Sequence, residues 1–116
     1  MKKLGMGRSR KLTRENIDRF VKPSQIGNYA LGYVESGTFY VCYVGRSETD
    51  LNLRLKDHLD ENPDYECFKF KYAASVIDAY EMECKNYHDF PNSNNIIHPV
   101  KPKGYSNKCI CPVCRH

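Results

Sequence analysis

The spacing of apolar positions changes from helical to alternating and back along this chain, and each change marks an element. Residues 12–22 (LTRENIDRFVK) read as a short helix capped by Thr13 and ended by Pro23. Residues 28–35 (NYALGYVE) and 38–45 (TFYVCYVG) are rich in aromatic and β-branched residues, with the turn signal Ser36-Gly37 between them. So short a connection predicts an antiparallel hairpin. Leu51, Leu55 and Leu59 then recur every four residues behind Ser47, Thr49 and Asp50, three candidate caps, and Asn62-Pro63 stops that helix. Residues 66–74 (ECFKFKYAA) alternate: Phe68, Phe70 and Tyr72 point to one side, and Cys67, Lys69 and Lys71 to the other. Ser75 caps a second long helix over 76–90, with Val76, Tyr80, Glu83 and Tyr87 on one stripe. From Pro91 to His116 the periodicity is lost and Pro and Asn accumulate, so this segment has little core of its own. The order predicts an α+β domain with a small three-stranded antiparallel sheet flanked by helices and followed by an irregular tail.

Composition narrows the class. The 116 residues fit one domain, 41% hydrophobic and 28% charged, and no apolar run approaches a membrane span. The N-terminal MKKLGMGRSRKL has basic residues without an apolar stretch behind them, so an export signal is not expected and the cytoplasm is the expected location. The net charge of +4 is uneven: residues 1–22 carry +6 and the remainder −2. A basic arm on a nearly neutral body suits a polyanion such as nucleic acid, or is simply a solvated tail.

Six cysteines invite a disulfide reading, but three of them crowd the last eight residues and two form Cys111-Pro-Val-Cys114. That spacing suits structural zinc. Cys84 and His88 lie four apart on the predicted helix and project side by side. Cys84, His88, Cys111 and Cys114 are therefore the expected Zn²⁺ set, one ion per chain, stapling the tail to the helix that carries Glu83. His98, Cys109 and His116 are alternative ligands. A thiol-redox role fits less well, because such a motif normally opens a helix and none can follow here. Cys42 and Cys67 are expected to be plain strand residues.

The hairpin strands carry Gly27-Asn28-Tyr29 and, with its tyrosine fourteen residues after Tyr29, Tyr43-Val44-Gly45. Arg54 lies eleven residues beyond Tyr43, His58 four further on, and Glu83 in the next long helix. Over about residues 26–95 this ordered set resembles the GIY-YIG nuclease superfamily. It is also similar to small stand-alone prokaryotic members whose Glu helix continues E-C-x-x-x-H and whose tail reads H-P-x-x-P-x-G before C-P-x-C. The matching residues here are Glu83-Cys84, His88, His98-Pro99, Pro102, Gly104 and Cys111-Pro-Val-Cys114. Asn28 departs from the usual aliphatic residue, and the spacing to Arg54 implies a local insertion near Glu48–Asp50.

The resemblance implies a basic arm or short helix over 1–25, a nuclease domain over 26–95 and a tail over 96–116. It also implies metal-dependent cutting of DNA, branched or damaged DNA included, in repair or recombination. Tyr29 or Tyr43 would orient or deprotonate the attacking water, and an Asn about a dozen residues past the Glu, Asn95 or else Asn94, would tie down the site. On chemistry, Arg54 can hold a phosphate oxygen with its planar fork, and His58 shares its helix face. Glu83 offers a hard oxygen to Mg²⁺ or Mn²⁺. Glu83 shares the stripe of Val76, Tyr80 and Tyr87, where a carboxylate is costly without a role, whereas Glu81 is on another face. Arg46, Lys56, Lys69 and Lys71 are the expected phosphate contacts. A homodimer or protein partner would supply specificity. The competing expectations are a catalytically inactive nucleic-acid-binding module with structural zinc, using also the Lys101–Lys108 stretch, and a zinc-dependent adaptor.

Overall fold

A computed structural model describes residues 4–61, 65–91, 94–95, 98–104 and 109–115; the expected helix stop at Asn62-Pro63, the alternative ligand His116 and the end of the Lys101–Lys108 stretch lie outside them. The described elements are β1 (Arg10–Lys11), α1 (Arg14–Phe20), β2 (Gly27–Glu35), β3 (Thr38–Ser47), α2 (Leu51–Glu61), β4 (Cys67–Tyr72) and α3 (Val76–Asp89). The strands form one antiparallel sheet in the order β1-β4-β2-β3, so the class is α+β as expected, but the sheet has four strands rather than three. The extra strand is two residues long, too short to leave an alternating signature, and it pairs Arg10 with Phe68 and Lys11 with Cys67.

Local chemistry sets the element ends. Thr13 accepts from the Asn16 N–H at 3.1 Å and starts α1. Ser36 and Gly37 both have positive φ, which lets β2 and β3 close as a tight hairpin. Asp50 accepts from the Leu53 N–H, and Ser47 accepts from the Asp50 N–H, so β3 runs directly into α2. Ser75 accepts from the Asp78 N–H and starts α3.

Alternation along β2 separates two cores. Tyr29 and Leu31 face α1 and α2, where they pack with Ile17, Val21, Leu51, Leu55 and Phe68. Ala30 faces the other way, with Val44, Leu4 and Met6 and the partly buried Tyr87 of α3 and Phe90, which caps that helix. The N-terminal arm is thus anchored at Leu4 and Met6, not simply basic and solvated. A third cluster, Tyr80, Cys84, Cys109 and Cys111, joins the tail to α3. Among the described residues no helix is long and apolar enough to cross a membrane.

Candidate active site and metal centre

Two glycines let the hairpin carry its tyrosines where it does. A Cβ at Gly45 would fall within 2.5 Å of the Tyr29 Cζ, so the Tyr29 ring lies against bare backbone. A Cβ at Gly27 would fall 2.6 Å from the Lys71 carbonyl oxygen and 2.8 Å from the Leu51 side chain, where β2, β4 and α2 meet. These are physical reasons for the glycine in each of the two motifs. Gly45→Ala is expected to destabilise the fold by about 1–3 kcal/mol, read as a lower urea midpoint, because the Tyr29 ring must move.

Tyr29 is buried, and its hydroxyl shares a hydrogen bond of 2.6 Å with His58 Nε2. Tyr43 lies beside them, its ring centroid 6.3 Å from that of Tyr29 and 5.4 Å from that of His58. Burial pushes both phenols above their ordinary range, and the nearby Arg54 guanidinium opposes that shift. Burial, and then the Arg54 charge, hold His58 down at about 4, so the imidazole is neutral at pH 7. Between the unfolded value of 6.5 and the folded value of about 4 the unfolded chain binds the extra proton, so stability falls as pH drops through that window. The expected loss from this residue is about 2–3 kcal/mol between pH 7 and pH 4, and urea unfolding of His58→Gln should show a shallower pH dependence than wild type.

The acid comes from α3. Glu83 is largely buried and pairs with Arg46, whose Nη2 also lies 2.7 Å from Glu48 Oε2 and donates to the Val100 carbonyl at 2.6 Å. Burial raises the Glu83 carboxyl above the ordinary range, and Arg46 opposes that shift. Arg46 itself sits 5.3 Å from the Tyr80 ring centroid. Tyr29, Tyr43, Arg46, Glu48, Arg54 and Glu83 line one cavity of about 520 Å³, with Val100 at its wall. Asn95 clamps the strand behind Tyr43: its amide accepts from the Val44 N–H at 2.9 Å and donates to the Val44 carbonyl at 2.8 Å. Asn94 instead donates to the Tyr65 hydroxyl.

The expected phosphate contacts fare differently. Arg46 lines the cavity, but carboxylates and a carbonyl occupy its donors. Lys56 is not at the cavity; it pairs with Asp18 and ties α2 to α1. Lys69 and Lys71 pair in register with Ala30 and Asn28, on the sheet face opposite Tyr29, and Lys69 lies 4.9 Å from the Phe39 ring centroid. Strand alternation alone fixes that outcome, since Phe68 and Phe70 take the other face. Glu48 was missed by sequence reasoning. Its signal was its position two residues beyond Arg46, where an extended chain returns to the same side.

Among the described residues, the group that could hold a metal ion is His88, His98, Cys111 and Cys114, whose donor atoms all lie within 4.8 Å of one another. This differs from the expected set in one position: His98, an alternative ligand on sequence, stands where Cys84 was expected. The Cys84 thiol is fully buried against Tyr80, Cys109 and Cys111, and that burial raises it to about 12. The four donors suit a metal ion. His88 Nε2 is buried without a hydrogen-bond partner, a costly state unless an ion takes its lone pair. His98 Nδ1 lies 3.0 Å from the Pro99 carbonyl, an arrangement that puts the proton on Nδ1 and leaves Nε2, 3.3 Å from Cys114 Sγ, as a ligand. Burial works against the Cys111 thiolate, but hydrogen bonds from the Cys114 and Val113 backbone, His98 and Cys114 hold its pKa at about 5. Against known proteins, no family model, no curated protein and no solved structure matches this chain.

Proposed function

We propose that this chain is a GIY-YIG-type endonuclease that hydrolyses DNA phosphodiester bonds, with a structural zinc closing its tail. The observation that supports this most is the gathering of two phenols from the hairpin, a guanidinium from α2 and a carboxylate from α3 around one cavity. Hydrolysis needs a placed water, charge relief on the phosphate and a stabilised leaving oxygen. Arg54 supplies charge relief with a rigid fork of donors. In the tautomer that leaves His58 Nε2 unprotonated, the Tyr29 hydroxyl donates to it, and the phenol oxygen, which already accepts from Arg54, keeps a lone pair for a water in the cavity. As the water oxygen bonds to phosphorus, its proton passes to the Tyr29 oxygen and the phenolic proton to His58 Nε2, while the P–O bond to the leaving sugar oxygen breaks and that oxygen departs with the electron pair and then takes a proton from solvent. A phosphate seated on Arg54 offsets the charge that depresses His58 and so raises its basicity. Asn95 keeps the Tyr43 strand in place.

Glu83, with Glu48 beside it, would hold the divalent cation: both carboxylates already converge on a single cation, the Arg46 guanidinium. Mg²⁺ or Mn²⁺, when bound, polarises the phosphate and stabilises the leaving oxygen. Zn²⁺ fits the other group, because bonds of about 2.0–2.3 Å put tetrahedral ligands roughly 3.5 Å apart. DNA is the partner; a second copy or another protein supplies specificity, and repair or recombination is the setting.

One observation favours the binding-module reading. Glu83 is already neutralised by Arg46, and a module that only binds needs no free carboxylate. Incubation with supercoiled plasmid and branched DNA in Mg²⁺ or Mn²⁺ separates the two. The nuclease gives nicked or linear product that disappears with EDTA, whereas the binding module retards the DNA and leaves it intact.

A further inference from the structure

The metal-ligand group and the cleft share two segments. On α3, His88 follows Glu83 by little more than a turn, so one helix presents an acid to the cleft and a ligand to the metal group. In the tail, His98 precedes Val100 by two residues, and the Val100 carbonyl accepts from Arg46 Nη2 at 2.6 Å. Arg46 is therefore held by Glu83 from the helix and by Val100 from the tail, the two segments that a metal ion would tie together. Val100 is 73% exposed, so its own packing does not fix that carbonyl. A metal ion on His98, two residues away, would do so, because Pro99 between them has a fixed φ and leaves few free backbone torsions.

We infer that the His88, His98, Cys111 and Cys114 group is a positioning device for Arg46, and not only a staple for the tail. With the ion in place, the 98–100 segment is pinned to α3, and the Val100 carbonyl keeps Arg46 at the cleft wall beside Tyr80. Without it, Arg46 keeps only Glu48 and Glu83, and its guanidinium is free to move among them. This inference rests on the reading of the cleft as a phosphodiester site and of the group as a zinc site.

The test uses the full chain, isotope-labelled for NMR, first with one equivalent of zinc and then after chelation. The arginine Nε–H signal of Arg46, assigned by its loss in Arg46→Lys, reports its setting without any need for turnover. Affinity for a short DNA duplex is measured in parallel with Ca²⁺ in place of Mg²⁺. Zinc removal should move and broaden the Arg46 signal while duplex affinity stays within about twofold, since Glu48 and Glu83 still take the Arg46 donors. The amide signals of β2, β3, β4 and α2 should stay in place, and His98→Ala should give the same result with zinc present. If zinc binds stoichiometrically and its removal leaves the Arg46 signal unmoved, the inference is wrong and the nuclease reading stands. Collapse of the sheet signals together with that of Arg46 overturns it as well, since the group is then a folding staple. Failure to bind zinc overturns it too. Absence of plasmid cutting, by contrast, removes the nuclease reading and leaves the Arg46 measurement intact.

Discussion

Glu83→Gln is expected to lower DNA cutting by about a thousandfold or more while leaving duplex affinity within about twofold of wild type. The substitution keeps the shape of the side chain and removes the charge that would hold a divalent cation. It also breaks the ion pair with Arg46, but Arg46 retains Glu48 and the Val100 carbonyl, so no guanidinium is left buried and unpartnered. A thermal melt followed by circular dichroism should show the variant folded, so that loss of cutting is read as loss of chemistry. The raised Glu83 carboxyl adds a pH signature. Because burial raises the pKa of the metal-free carboxyl, a proton competes with the cation for Glu83, and the Mg²⁺ concentration needed for cutting should rise as pH drops through a window higher than an exposed glutamate would set. Single-turnover cutting titrated with Mg²⁺ at each pH checks this, and a Mg²⁺ requirement flat down to the ordinary carboxylate range would contradict it.

The second large effect separates two ligand sets that differ in a single residue. His98→Ala should abolish stoichiometric zinc binding, whereas Cys84→Ser should retain about one zinc per chain. His98 Nε2 belongs to the compact donor group, while Cys84 is committed to the apolar cluster around Tyr80. Cys84→Ser carries a separate cost of about 1–3 kcal/mol from burying a hydroxyl in place of a thiol. Metal analysis of the purified variants, alongside their unfolding midpoints, reads both effects. Zinc lost from Cys84→Ser and kept by His98→Ala would restore the helical Cys/His pair as the anchor.

The elements that carry the site were legible because each has a strong local signature. The Ser36-Gly37 turn fixed the hairpin, but its register carried through unbroken would put Tyr29 and Tyr43 on opposite faces; the register shift between Leu31 and Gly32, which left no signal in the sequence, sets Tyr43 opposite Leu31 and so on the Tyr29 face. The leucines of α2 fixed which side of that helix is buried, and hence that Arg54 and His58 flank the same edge. The Ser75 cap and the apolar stripe of α3 put Glu83 toward the sheet. What stayed hidden depends on pairing across long separations. The strand at Arg10–Lys11 has too few residues to alternate. The burial of Leu4 and Met6 depends on the α3 side of the sheet, which the arm's own composition does not describe.

The metal group shows the same limit from another side. Spacing proposes that Cys84 and His88 act together because they are neighbours on a helix, but neighbours four apart diverge once one of them is claimed by a hydrophobic cluster. His98 lies in an irregular segment where spacing carries no directional information. Glu48 was obscured because its stretch reads as an insertion, although that stretch brings a second carboxylate to Arg46.

The central claim is that Arg54 and Glu83 serve one reaction centre, and a double-mutant comparison of single-turnover DNA cutting in Mg²⁺ tests it most directly. Wild type, Arg54→Ala, Glu83→Gln and the double variant are measured side by side. Groups acting on the same phosphate as a unit give strongly non-additive losses, so the double variant should be only about as slow as the slower single variant. Losses that multiply, or a wild-type protein that binds DNA and never cuts it, would contradict the account.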